Sequence, residues 1–131
     1  MGYTKTNLKR DVEDSAPKFN MPEGIESHFG RRGIGGSTLG LSMFTLAPGF
    51  RMPFGHSHTA QEEVYVVVRG SARVKVDDEI VELGEWDAIR FDPSAMRAVE
   101  AGPDGVEYLA FSAGDDPTDA AMVQSWWAEA D

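Results

Sequence analysis

The segment from His56 to Gly70 reads HSHTAQEEVYVVVRG and holds two of the three histidines in the chain. Residues i and i+2 of an extended strand point to the same face, so His56 and His58 present two imidazoles to one side. Imidazole binds first-row divalent metals, and two imidazoles with one carboxylate form the facial triad of non-haem iron sites. Glu62 and Glu63 follow, and their side chains point to opposite faces of a strand. Strand geometry alone leaves open which of them completes the set.

Two further side chains beside this segment are candidates for binding a ligand. Tyr65 has the same strand parity as Glu63, so its hydroxyl could reach the same interior. Filling the core with a partly solvated tip is an equally good role for that ring. Gln61 flanks Glu63 on the other side. The types and spacing of these two residues do not distinguish a ligand-binding role from a packing role.

The residues that must position these side chains show the two-residue period of strands. Strand-like segments follow one another from residue 38 onward, reading TLGLSMFTL, EEVYVVV, SARVKV, EIVEL, DAIRF, RAVEAG and VEYLAFS. Turn signals such as DD and GPDG separate several of them. Short strands at this spacing are typical of an antiparallel sandwich or barrel. We therefore predict an all-β fold with a barrel over residues 38–113.

The segments on either side of the barrel lack this period. Residues 1–37 are predicted to form an N-terminal arm and a glycine-rich loop, in which MPEGIESHFGRR could be a short helix that begins at Pro22. Residues 114–131 are predicted to form a C-terminal helix, with Asp116 as its N-cap and Pro117 at its first position. Its apolar stripe would consist of the pairs Met122 and Trp126, and Val123 and Trp127. We expect this helix to pack on the outside of the barrel.

Composition excludes several classes of protein. The chain has 131 residues, a formal net charge of −10 and no cysteine, so disulfides and thiolate chemistry are excluded. An acidic surface repels phosphate backbones and anionic membranes, so neither nucleic acid nor a membrane is an expected partner. The N-terminal residues lack the apolar stretch of a secretory signal, and no apolar run is long enough to cross a bilayer. We expect a cytoplasmic protein of one domain.

The histidine segment resembles the first motif of the cupin superfamily, which reads His-x-His, three or four residues, Glu, six residues, Gly. Four residues separate His58 from Glu63, and six more precede Gly70. The resemblance therefore favours Glu63 over Glu62. It implies a small single-domain cupin with a double-stranded β-helix, and a homodimer. It also implies a divalent transition metal (Fe, Mn, Ni or Zn) held by His56, His58 and Glu63.

The second cupin motif is degenerate in this chain. The segment WDAIRFDPSAMRAVEAG is similar to that motif when Asp87 is aligned with its aspartate. Arg97 then occupies the position where metal-binding cupins have a histidine ligand. A guanidinium group stays protonated and cannot bind a metal ion.

Two hypotheses follow from Arg97. In the first, the metal keeps three protein ligands and Arg97 binds an anionic group of the substrate. In the second, the site is metal-free because Arg97 replaces the cation and pairs with Glu63. Either site would bind a small polar or anionic metabolite, and we expect a binding protein or, alternatively, a metal-dependent oxygenase, isomerase or lyase.

Overall fold

The computed structural model describes residues 2–116 and 118–127. Strands dominate these two ranges, and the helical content within them is limited to one 3₁₀ turn at Ala16–Phe19 and one short helix, α1, at Arg31–Ile34. The eight strands of the described residues are β1 (Ile25–Phe29), β2 (Leu39–Leu46), β3 (Phe54–His58), β4 (Glu62–Val76), β5 (Glu79–Leu83), β6 (Ala88–Phe91), β7 (Arg97–Ala113) and β8 (Ala120–Gln124).

The strands form one antiparallel sheet that curls on itself. One path through it runs β1-β2-β7-β3-β8, and β4 pairs with β7 as well as with β5 and β6. The two longest strands, β4 and β7, therefore form its centre and connect the histidine segment to the position of Arg97. The all-β class is confirmed, and strands extend beyond both predicted limits of the barrel. No helix in the described part of the chain has the length and apolar character needed to span a membrane.

The long strands bend at two glycines. Gly70 and Gly105 have φ values of 79° and 78°, in the left-handed region that favours glycine. A Cβ atom at position 70 would lie 2.1 Å from the carbonyl oxygen of Gly105, so the two backbones could not approach this closely with any other residue. The pairing of β4 with β7 shifts register next to Gly70. The segments EEVYVVV and SARVKV, predicted as separate strands, are consequently one bent strand.

The core lies inside the curl and leads up to the histidine segment. Its most completely buried apolar side chains are those of Leu46, Val67, Val74, Phe91 and Val106. Aromatic rings continue the packing towards β3. The ring centroid of Tyr65 lies 4.8 Å from that of Phe91, in an edge-to-face contact, and 5.0 Å from that of Tyr108. This packing fixes the inner face of β4, on which Glu63 also lies.

The predicted short helix that begins at Pro22 is wrong. Ile25–Phe29 is strand β1, which pairs antiparallel with β2 along its whole length. The spacing of Ile25 and Phe29 fits one face of a helix, but the free edge of β2 offers backbone partners that a helix could not use. Ile25 joins the core, whereas Phe29 is exposed.

The predicted C-terminal helix is also not found in the described residues. Ala120–Gln124 is strand β8, which pairs with all five residues of β3. Trp126 then packs on Gly55, where a Cβ atom would lie 2.8 Å from the ring. Trp127 is buried, and its ring centroid lies 4.7 Å from the guanidinium carbon of Arg51. Residues 128–131 and Pro117, which were part of the predicted helix, lie outside the described residues.

Glu100 should make the stability of this fold depend on pH. Its two oxygens accept hydrogen bonds from Arg73 Nε and Arg51 Nε, both at 2.6 Å. Burial alone would raise the pKa of Glu100, but these guanidinium groups outweigh it and lower the pKa. The pair energy is therefore present above the ordinary carboxyl pKa, about 4.3, and is lost as the pH falls through the lower folded value.

We expect Glu100→Gln to cost about 1 kcal/mol at pH 7, because solvent screens the partly exposed guanidinium groups. The cost should be smaller at pH 3, below the ordinary carboxyl pKa, and urea unfolding at both pH values measures it. The exposed Glu79→Gln on β5 is the control and should show no such trend. A cost for Glu100→Gln that is the same at both pH values would contradict the prediction.

Candidate metal centre

Two strands, β3 and β4, carry the predicted ligands. His56 and His58 lie on β3, where His56 is paired with Arg97 of β7. Glu63 lies at the beginning of β4 and is paired with Phe91 of β6 and Ser112 of β7. Only the three residues Thr59–Gln61 join β3 to β4, so the loop holds the histidines close to the glutamate.

The side chains of His56, His58 and Glu63 form one compact donor cluster. Nε2 of His56 and Nε2 of His58 each lie 3.4 Å from Oε1 of Glu63. One ligand atom from each of the three residues lies within 4.8 Å of the others. The exposed fractions are 23% for His56, 13% for Glu63 and 7% for His58. Solvent therefore reaches this metal-ligand cluster mainly past His56.

Arg97 is completely buried beside the cluster. Its Nη2 donates to Oε1 of Glu63, and its Nη1 donates to the carbonyl of Ala95 at 2.8 Å. The guanidinium carbon lies 4.8 Å from the ring centroid of Phe91. The pairing with Glu63 is the one that the metal-free hypothesis predicts, and it places a fixed positive charge at the inner side of the site.

Glu62 lies on the outer face of β4. Its Oε2 accepts a hydrogen bond from Arg90 Nη1 at 2.9 Å, and both side chains are 53% exposed. Arg90 also donates to Asp92 at 2.8 Å. Each of the two adjacent glutamates thus pairs with an arginine. The pair of Glu63 is buried inside the sheet, and the pair of Glu62 is exposed to solvent.

Of the two predicted ligand-binding neighbours, the structure places only Tyr65 at the cluster. Its buried hydroxyl interacts with Arg97 and Glu63, and burial is the main cause that raises its pKa far above the usual value. Gln61 is buried one residue further away and reaches the cluster through Asp119. Its Oε1 accepts from Arg31 Nη2 at 2.9 Å, and its Nε2 donates to Asp119 at 3.4 Å.

Asp119 is the residue of this site that the sequence analysis missed. Its Oδ1 lies 2.6 Å from Nδ1 of His58, although 61 residues separate the two in sequence. Its other oxygen accepts three successive backbone N–H groups, those of Thr59 (3.0 Å), Ala60 (2.8 Å) and Gln61 (3.1 Å). The segment DDPTD carries no metal-ligand spacing, and only the pairing of β8 with β3 brings Asp119 to His58.

Both carboxylates of the site are held ionised. Burial alone would raise the pKa of Glu63, but the nearby His56, His58 and Arg97 outweigh it and lower the pKa far below the usual range. For Asp119, the N–H groups of the loop and His58 likewise outweigh burial and lower the pKa. The nearby carboxylate of Glu63 is the largest cause that raises the pKa of His58. The side chain of Glu63 is therefore an ionised carboxylate, the form that binds a metal ion, at any physiological pH.

The residues fit a divalent transition metal. Ligands of one ion each lie about 2.1 Å from it, so a separation of 3.4 Å between two donor atoms is suitable. His58 Nε2 is buried without a hydrogen-bond partner, and its other ring nitrogen is held by Asp119, the arrangement common among metal-bound histidines. The position of Arg97 disfavours a metal ion, because its guanidinium already neutralises Glu63. The cluster can hold a metal ion, but the ion would compete with Arg97 for the carboxylate of Glu63.

Comparison with known proteins gives the family and the fold. Residues 42–111, more than half of the chain, match the family model described as the cupin domain. A search of curated proteins gave no match. One similar structure is a cupin protein from Bacteroides fragilis, with a TM-score of 0.71 and 22% identity over 89% of this chain and 88% of that one.

Two variants of oxalate decarboxylase from Bacillus subtilis are also similar. A Trp-to-Phe variant has a TM-score of 0.74 at 22% identity, and a four-residue variant has 0.73 at 23%. Each comparison covers 95% of this chain but only 34% of the decarboxylase, so the chain spans about a third of that enzyme. Likeness at this identity establishes the fold alone. The match over residues 42–111 is what shows that the chain belongs to the cupin domain family.

Proposed function

We propose that this protein binds one divalent transition-metal ion through His56, His58 and Glu63 and uses the loaded site to bind a small anionic metabolite. The observation that carries the proposal is the convergence of the three donors within 4.8 Å of one another. A bound ion would supply Lewis acidity, polarising an oxygen of the ligand. The curled sheet that holds the site is, in this proposal, the double-stranded β-helix of cupins.

Charge supports an anionic ligand only when metal is bound. With neutral histidines, the site carries one cation, Arg97, against the two carboxylates Glu63 and Asp119. The metal-free site is therefore anionic and should attract a cation. A divalent ion reverses the sign, so an incoming carboxylate would be attracted to the metal and to Arg97.

The limited exposure of the donor cluster supports a ligand of few atoms. Two surface clefts of the described chain have other linings: one follows the β4–β5 turn, and the other is lined by the loop at Thr59–Gln61 and by Asp119. Neither is lined by the side chains of His56, His58 or Glu63. Because the cluster is open mainly past His56, a compact ligand fits it better than a large one.

The second candidate function is ligand binding without a metal, and the contact between Arg97 and Glu63 is the observation that favours it. In that case Arg97, Glu63 and the hydroxyl of Tyr65 would orient a small polar molecule. The enzymatic alternative, a metal-dependent oxygenase, isomerase or lyase, uses the same three ligands and the open positions of the metal. A cytoplasmic homodimer remains our prediction for the protein in the cell.

Metal analysis of untagged protein tests the proposal. We expect close to one equivalent of iron, manganese, nickel or zinc per chain. After the metal is removed, the protein should bind one equivalent of added Zn²⁺. Oxalate, malonate and acetate should raise the melting temperature of the loaded protein and not that of the protein in EDTA. Absence of metal together with anion binding in EDTA would reverse the choice in favour of the metal-free candidate.

A further inference from the structure

The segment 118–127 connects the C-terminal part of the chain to the donor cluster. Strand β8 lies along β3, with Ala120 paired to His58 and Met122 paired to His56. After β8, Lys75 Nζ donates to the carbonyl of Trp126 at 2.6 Å. Before β8, Asp119 bonds to His58 and to the loop. The segment is therefore fixed at both ends, and at one of them Asp119 contacts His58, a proposed metal ligand.

Hydrogen-bond chemistry determines which ring nitrogen of His58 carries the proton. A carboxylate accepts hydrogen bonds and donates none. Since Asp119 Oδ1 lies 2.6 Å from Nδ1 of His58, that nitrogen must be the N–H donor. In neutral His58 the lone pair then lies on Nε2. Nε2 is buried, has no hydrogen-bond partner and lies 3.4 Å from Glu63.

The same carboxylate also positions the loop between the ligands. Its Oδ2 accepts the N–H groups of all three loop residues, Thr59, Ala60 and Gln61. This loop joins the strand of the two histidines to the strand of Glu63. One side chain thus constrains both the ring of His58 and the short connection to Glu63.

We propose that Asp119 is a positioning residue that holds His58 in the tautomer with its proton on Nδ1 and its Nε2 lone pair directed at Glu63. The part of the inference that concerns metal affinity rests on the proposed function, whereas the tautomer does not. Partners of this kind orient metal-binding histidines, and their loss typically weakens metal binding about 10- to 100-fold.

Asp119→Asn is the discriminating variant. Three backbone donors require an acceptor at the Oδ2 position, so the amide oxygen should take that place and the amide nitrogen should face His58. Nδ1 of His58 would then accept, and the proton would move to Nε2. The control is Asp116→Asn, which removes the same charge three residues away, where the carboxylate accepts hydrogen bonds from Thr118 within its own turn.

Two measurements test the inference on the whole chain. In ¹H–¹⁵N spectra of metal-free protein, recorded at a pH high enough for the His58 signals to be those of a neutral ring, His58 should be protonated on Nδ1 in the parent and on Nε2 in Asp119→Asn. His58→Asn assigns its signals. In calorimetric titrations with Zn²⁺, Asp119→Asn should bind roughly 10- to 100-fold more weakly than the parent and than Asp116→Asn.

Each outcome has a distinct reading. A parent spectrum with the proton on Nε2 would overturn the inference, and this holds even if the variant does not fold. Zn²⁺ binding by Asp119→Asn as tight as that of the parent would also overturn it. If the parent bound no metal ion at all, the proposed function would fail, and the parent tautomer would still decide the role of Asp119.

Discussion

In the metal-free protein, Arg97→His should lower the free energy of unfolding by about 3 kcal/mol, and a divalent metal ion should restore most of that loss. Arg97 is completely buried and paired with Glu63. Removing one partner of a buried ion pair leaves the other charge uncompensated, which costs about 3–5 kcal/mol. An imidazole at position 97 would add a donor where metal-binding cupins have one. Free Zn²⁺ at about 100 times its Kd then returns about 2.7 kcal/mol.

Urea unfolding in EDTA and in Zn²⁺ measures both effects, and calorimetry should show tighter Zn²⁺ binding than in the parent. The matched control is Arg90→His, which removes the exposed partner of Glu62. Its effect on stability should be small, with or without metal, because solvent screens an exposed ion pair. If the two variants lost the same stability, or if Arg97→His bound Zn²⁺ no better than the parent, Arg97 would not occupy the position of a fourth ligand.

Glu63→Gln should weaken Zn²⁺ binding by at least about 100-fold. The carboxylate is the only anionic member of the donor cluster His56, His58 and Glu63. Its loss removes a ligand directly, so it should exceed the roughly 10- to 100-fold effect of losing a partner that only orients a ligand. The variant also leaves the buried guanidinium of Arg97 without its anion, so we expect a lower melting temperature as well.

The adjacent substitution Glu62→Gln provides the control, because it removes the same charge one residue away on the exposed face. Its Kd for Zn²⁺ should stay within about twofold of the parent, since solvent and salt screen a charge at the surface. Calorimetric titration of both variants compares them directly. Similar Kd values for the two would show that strand parity does not select the carboxylate that binds the metal.

The sequence by itself determined the two histidines and the strands that carry them, because both follow from short-range geometry, and its resemblance to the cupin motif selected Glu63 over Glu62. The alternation of side chains along a strand places His56 and His58 on one face. The loop to Glu63 has only three residues, so these donors cannot be far apart in any fold that keeps β3 and β4. The turn signals and the two-residue period were sufficient for the all-β class.

Tertiary structure alone decided the two ends of the chain and the partners of the site. The segments at β1 and β8 have residue types and spacings that suit a helix, yet each supplies hydrogen bonds to a strand edge that would otherwise be open. Pairing between β3 and β8 joins residues 62 to 70 positions apart, and no local pattern records such a contact. Asp119 therefore reaches His58 only in the folded sheet. The same holds for Arg31 and Gln61, because their contact depends on how distant strands align and not on either residue's neighbours.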